Sequence, residues 1–301
     1  MTTIFVVGPT ASGKTDLAVE IASKINAPII NADSIQLYQG LVIGSSAPSE
    51  AQKAKVPHEL FQVIPKGKSW TVGEYEEAAW SVVESYHQKN KPVVIAGGSG
   101  FYIQALEKGL SPSSADLPEV REKITRRLEH EGEEALFLEL KSVDPKSASA
   151  IHPRDHYRLV RALAYYHSFS RPFSEDKVNP APRIWRGKVY KVGLTASQEE
   201  LKKRIRQRTE TMLKKGFIEE VSALLSEGLE NWWPLKSVGY YEVSRHLAGD
   251  YSLEQLEDVI VQKTLLLAKK QKTWFQRDTE IQWFNMDQTK GALDWCLRDG
   301  F

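Results

Sequence analysis

Residues 8–15, Gly8-Pro9-Thr10-Ala11-Ser12-Gly13-Lys14-Thr15, spell G-x-x-x-x-G-K-[ST], an arrangement suited to holding phosphate. Its glycines let the backbone curl so that successive N–H groups point inward, Lys14 adds a point charge, and the Thr15 hydroxyl can hold Mg²⁺. Such a loop works between a strand and a helix, because the helix N-terminus contributes further unpaired N–H groups. Both flanks read that way: residues 3–7 are a short β-branched apolar run, and Leu17-Ala18-Val19-Glu20-Ile21-Ala22 opens a helical pattern.

Other residues could act with the loop. Asp33 follows a second apolar run and could be a general base, a metal ligand or the cap of a following helix. Gln36 and Tyr38 come next, and Tyr38 reads as packing. Gly97-Gly98-Ser99-Gly100 ends a third run, where glycines allow close backbone or ligand approach. Arg154, Arg158 and Arg161 fall at helical spacing, as do Arg204 and Arg208, and guanidinium groups match phosphate oxygens bidentately. Lys263, Lys270 and Arg277 recur every seventh residue with Trp274 and Phe275 between them, a pattern open to RNA contact or to core packing. There is no H-E-x-x-H motif, and the single Cys296 excludes an intramolecular disulfide and a cysteine-based zinc finger.

The elements that must position these groups alternate. Strand-like residues 3–7, 27–31 and 92–96 each lead into helical sequence, which predicts a parallel sheet with ligands beyond its carboxyl edge. A turn-rich stretch at 111–118 introduces charged helical sequence to about residue 168, strand character resumes at 188–194, and long helices are expected over 198–227 and 253–277. The fold class is therefore α/β: a phosphate-loop NTPase-like parallel sheet flanked by helices, with a mostly helical insertion domain. Core segments 1–115 and 186–301 would enclose an insertion at 116–185. The 301 residues carry a net charge of +1, so the chain is no bulk polycation, yet basic residues crowd 183–215 and 263–277. No apolar run reaches the ~20 residues of a membrane span, and a cytoplasmic location is expected.

Strings along nearly the whole chain resemble the tRNA dimethylallyltransferases, also called tRNA isopentenyltransferases. They are the phosphate loop, Asn31-Ala32-Asp33-Ser34-Ile35-Gln36-Leu37-Tyr38, Val56-Pro57-His58, Gly97-Gly98-Ser99-Gly100-Phe101-Tyr102, Tyr157-Arg158-Leu159-Val160-Arg161-Ala162-Leu163, Val238-Gly239-Tyr240 and Lys270-Gln271-Lys272-Thr273-Trp274-Phe275. The resemblance implies transfer of a dimethylallyl group from its diphosphate to the exocyclic amine of the adenosine 3′ of a tRNA anticodon. It implies that Ser12, Lys14 and Thr15 with Mg²⁺ hold the diphosphate, with Asp33 as base, Thr10 nearby, and Arg208 or Arg204 on the leaving group. Asp33, Ser34, Ile35, Gln36 and Ser99 would surround the flipped base. Arg121, Tyr157, Arg158 and Arg161 in the insertion, and Lys269, Lys270, Gln271 and Thr273 near the C-terminus, would contact the anticodon stem-loop. A monomer is expected.

The sequence departs from the family's usual pattern in places: Ser99 stands for Thr, Ala47 for Lys, and Lys269-Lys270-Gln271-Lys272 for an arginine-rich string, with Gln276 before Arg277. Lysine lacks the bidentate fork of arginine. The alternatives are an adenylate isopentenyltransferase acting on free nucleotide, a small-molecule phosphate-loop kinase, and a nucleotide switch or RNA-binding module, the last disfavoured by the lack of an N-K-x-D motif.

Overall fold

A computed structural model describes residues 1–109, 118–175 and 184–298. Most of the turn-rich stretch at 111–118, the expected 115/116 boundary and Arg183 lie outside the described residues. The chain divides into two compact units, Met1–Leu106 with Ile184–Phe301, and Glu107–Arg183.

In the first unit, β1 (Thr2–Val7), α1 (Lys14–Ile25), β2 (Ile29–Asn31), α2 (Glu50–Lys53), β3 (His58–Glu59), α3 (Val72–His87), β4 (Val93–Gly97) and α4 (Gly100–Lys108) follow in order. The second unit contributes α5 (Pro118–Val143), α6 (Pro145–Ala150) and α7 (His156–Phe169). The chain then completes the first unit with β5 (Lys188–Thr195), α8 (Gln198–Lys214), α9 (Phe217–Ser226), α10 (Tyr240–Leu247), α11 (Leu253–Phe275), β6 (Gln282–Asn285) and α12 (Thr289–Leu297).

The six strands form one sheet in the order β3-β2-β4-β1-β5-β6, and every pairing is parallel. Central β1 is buried throughout, because both faces of a parallel sheet are covered by helices. Its side chains alternate: Phe5 and Val7 enter one core with Tyr75 and Val83 of α3, and Ile4 and Val6 enter the other with Leu17 and Ile21 of α1. Since β2, β4 and β1 are neighbours running the same way, the chain leaves all three at one edge, bringing together Asp33, the 97–100 turn and the phosphate loop.

The expected strands are present, and β3 and β6 add to them. The helix expected over 198–227 is two helices, broken at Gly216, whose φ of 94° is left-handed backbone that glycine adopts without strain. The helix carrying Arg158 begins at His156 behind the N-cap Asp155, which accepts Arg158 N–H at 3.2 Å. Arg154 therefore precedes the helix and does not share its face, a correction to the spacing argument. The second unit has its own apolar core, in which Ile124 and Leu136 of α5 meet Leu159 and Leu163 of α7.

Candidate active site

The phosphate loop wraps the carboxyl end of β1. Gly8 has φ 145°, and a Cβ there would lie 2.5 Å from the Leu194 carbonyl oxygen at the end of β5, so a side chain has no room. Gly13 turns left-handed, at φ 89°, to start α1, whose first residue is Lys14. Ser12 is fully buried, and its Oγ has no hydrogen-bond partner among the described residues. An unpartnered buried hydroxyl costs about 1–3 kcal/mol, a penalty that a bound phosphate oxygen would remove.

Three cations converge on this loop. Lys14 Nζ donates to the Pro9 carbonyl at 3.3 Å. Arg208 Nη1 donates to Thr10 Oγ1 at 2.8 Å, and Arg204, one turn earlier on α8, brings Nη1 to 3.5 Å from where a Gly13 Cβ would stand. Burial lowers the Lys14 ammonium to about 8, with Asp33 raising it and Arg208 lowering it. Burial likewise pulls the Arg208 guanidinium below its ordinary value against the pull of Asp33. Lys14 and Arg208 are thus held together in desolvated surroundings with Arg204 exposed beside them, an arrangement suited to an anion, whose arrival would remove their mutual repulsion.

Asp33 faces the same place from the end of β2. Its Oδ1 accepts Ile35 N–H at 3.0 Å, and Asn31 Oδ1 accepts Asp33 N–H at 2.8 Å, two local turns that fix where the carboxylate stands. Ser99 Oγ accepts Ser34 N–H at 2.9 Å, tying the two strand ends together. Gly97 makes this approach possible: a Cβ on it would lie 2.0 Å from the Ala32 carbonyl oxygen. Gln36 Nε2 donates to Ser45 O at 3.0 Å and Ser46 O at 3.2 Å, and Tyr38 is buried edge-on against Trp232.

α11 braces the cradle. Gln271 Oε1 accepts Thr10 N–H at 2.8 Å, and Gln271 Nε2 donates to the Gly98 carbonyl at 3.0 Å. Trp274 packs on Gly100, where a Cβ would lie 2.1 Å from its ring, and Arg277 lies over the indole at 5.8 Å. Phe275 is buried, whereas Lys263, Lys269, Lys270, Thr273 and Arg277 are exposed. The basic stretch before it is partly neutralised: Arg206 pairs with Glu257 and Asp258, and Lys191 with Asp278 and Glu280. In the second unit Tyr157 is 69% exposed, Arg158 lies 3.4 Å from Asp155, Arg161 stands over the Phe173 ring at 5.7 Å, and Arg121 is half-buried on α5.

From the cradle a cavity of about 90 Å³ runs between α8, α9, α10 and α11. Thr10, Asp33, Arg208 and Gln271 give it a polar end, and Ile205, Met212, Phe217, Ile260 and Leu267 give it an apolar lining. The sequence does not single out these apolar residues. Their one signal is the i, i+4 and i+7 recurrence of Ile205, Thr209 and Met212 on the α8 face that also carries Arg208, and that pattern reads as ordinary core. Among the described residues no cluster of His, Cys, Asp and Glu could hold a metal, and no helix is long and apolar enough to cross a membrane.

A parallel α/β sheet with a phosphate loop, a facing carboxylate and an adjoining apolar cavity defines an enzyme of the phosphate-loop class. A family model described as IPP transferase matches residues 36–278. The chain is 41% identical over 291 residues to a tRNA dimethylallyltransferase of Bdellovibrio bacteriovorus, covering 94% of this chain and 92% of that one. It is similar to the crystal structure of a tRNA delta(2)-isopentenylpyrophosphate transferase from Staphylococcus epidermidis, with TM-score 0.71, 32% identity, and coverage of 99% of this chain and 98% of the other. A eukaryotic dimethylallyltransferase acting on tRNA shares the fold, with TM-score 0.81 at 21% identity, over 99% of this chain and 77% of that one. The chain belongs to the IPP transferase family, the tRNA dimethylallyltransferases. Matches over nearly the full length do not favour the free-nucleotide and kinase alternatives.

Proposed function

We propose that this chain transfers the dimethylallyl group of dimethylallyl diphosphate to the exocyclic amine of the adenosine 3′ of a tRNA anticodon, releasing diphosphate. The observation that carries this reading is the cavity in which Thr10, Asp33 and Arg208 stand at the polar end of an apolar lining. A substrate with an anionic head and a small hydrocarbon tail matches both ends.

The diphosphate sits against the loop N–H groups, the α1 N-terminus, Lys14, Arg204 and Arg208, and the five-carbon tail enters the cavity. As the allylic C–O bond breaks, its electron pair leaves with the diphosphate, and the fixed cations stabilise that charge. The adenine nitrogen forms the new C–N bond, and Asp33 accepts the amine proton. Ser12 Oγ, orphaned and buried, and the Thr15 hydroxyl fit a Mg²⁺–diphosphate, and Mg²⁺ when bound would supply further neutralisation of the leaving group. The tRNA base must leave its stack to reach this site. Residues 33–36 and Ser99 would receive it, Lys269, Lys270, Gln271 and Thr273 would contact the loop, and Arg121, Tyr157, Arg158 and Arg161 of the second unit would contact the stem. Gln271 bonds to Thr10 and Gly98, so its part in RNA contact would be to fix the helix that presents the lysines.

Incubation with labelled dimethylallyl diphosphate and an unmodified anticodon stem-loop, followed by base-level mapping, tests the proposal. Label on the adenosine 3′ of the anticodon is the expected result. Diphosphate release without labelled RNA would reject it.

A further inference from the structure

Tyr240 lies in a motif, Val238-Gly239-Tyr240, to which the reaction assigns no role. It is the first residue of α10 and its hydroxyl bonds twice, donating to Glu220 Oε1 at 2.7 Å and accepting Ser45 N–H at 3.1 Å. Glu220, in the first turn of α9, accepts Val42 N–H at 3.0 Å and Ile43 N–H at 2.7 Å on Oε2, and Gly44 N–H at 3.2 Å on Oε1. Four successive backbone donors are thereby tied to one carboxylate–phenol pair. Residues 42–45 lie in neither helix nor strand, so this pair supplies the acceptors that regular structure would otherwise provide. Burial, reinforced by Glu220, holds the Tyr240 phenol well above its ordinary value, so it remains a donor.

Gly44 and Ser45 line the cavity. The backbone at Gly44 rests on two rings: a Cβ there would lie 2.1 Å from Phe217 Cε2 and 2.6 Å from Tyr240 Cζ. Those rings meet edge-on at 5.0 Å. At about 90 Å³, the cavity is smaller than the roughly 150 Å³ apolar cavity that accommodates benzene. Space on that scale favours a branched five-carbon group over a ten-carbon chain. Gln36 Nε2 donates to the carbonyls of Ser45 and the adjoining Ser46, linking this wall to the turn that carries Asp33.

We propose that Glu220 and Tyr240 are positioning residues that pin residues 42–45 as a wall of the prenyl cavity and thereby restrict the transferred group to five carbons. The inference rests on the reading of this cavity as the prenyl site.

The test is kcat/KM for dimethylallyl diphosphate against geranyl diphosphate, with an anticodon stem-loop as acceptor and folding followed by circular dichroism. Wild type should prefer the shorter donor by about 100-fold or more, and Tyr240→Phe and Glu220→Gln should each reduce that preference by about tenfold. Phe217→Leu, which shortens the ring under Gly44 and leaves both polar partners in place, should shift the preference the same way. An unchanged preference in the variants that fold overturns the proposal, as does a wild type that accepts geranyl diphosphate equally well. A wild type that transfers neither group would instead overturn the function proposed above.

Discussion

Arg208 Nη1 donates to Thr10 Oγ1 at 2.8 Å, joining α8 to the phosphate loop across 198 residues of sequence. Thr10 also donates its backbone N–H to Gln271 of α11, so one residue of the loop is held from two helices. Arg208 thus supports the loop, and on the proposed reading it would also place a charge on the diphosphate.

Replacing Arg208 with Ala should cost more than replacing Arg204, because Arg204 has no such link to Thr10. We expect kcat/KM for dimethylallyl diphosphate to fall by about 10³-fold in the first variant and about tenfold in the second. Steady-state kinetics at saturating stem-loop measure both, and equal losses would remove the distinction.

Asp33→Asn keeps the Asx turn to Ile35 and removes the proposed base. Turnover should fall by about 10²–10⁴-fold with stem-loop affinity nearly unchanged. Single-turnover kinetics and filter binding separate the two quantities, and full activity would reject the assignment.

On the proposed reading Lys14 would bind diphosphate as the ammonium. With its pKa lowered to about 8, the charged form predominates below that pH and is lost above it, so kcat/KM, which reports the free enzyme, should decline as pH rises through about 8. Bound diphosphate favours the charged form, so the corresponding limb in kcat should lie at higher pH. Lys14→Arg should abolish the limb at a lower absolute rate. A flat wild-type profile from about pH 7 to 9 would contradict this.

Changing Lys263, Lys270 and Arg277 together to Ala should weaken stem-loop binding and reduce the slope of log K against log salt by up to about 2, at roughly 0.7 for each phosphate no longer neutralised. A salt titration with the intact slope would return these residues to ordinary surface.

Gly97→Ala places a methyl 2.0 Å from the Ala32 carbonyl, a backbone atom that cannot swing aside. Urea denaturation should show a loss of about 1–3 kcal/mol. Activity should fall further than stability requires, since the same shift moves Asp33.

The phosphate loop, the strand before it and the helix after it were legible because local chemistry specifies all three. So were β2 and β4, whose apolar runs end in polar or glycine turns. The short β3 and β6 were not: two residues at His58–Glu59, and Gln282–Asn285 with polar ends, carry too little pattern against the turns around them. Lys214-Lys215-Gly216 was a readable stop, cations followed by glycine, and amphipathic sequence on both sides hid it. Asp155, an N-cap residue type, was a comparable sign that Arg154 precedes its helix. The apolar cavity could not be read, because Ile205 and Met212 look like core residues and Glu220 looks like one more solvated acid. Only the three-dimensional arrangement gives that acid its backbone donors.

Gly216 gives the last of these its significance. Without the left-handed turn there, α8 would run straight on and carry Glu220 away from the loop it grips. With it, neighbouring stretches of chain would, on the proposed reading, meet opposite halves of an amphiphile: guanidinium groups at the ionic head, an aromatic floor and a pinned loop beside the hydrocarbon. An insertion at this joint would uncouple catalysis from chain-length discrimination while leaving the sheet intact.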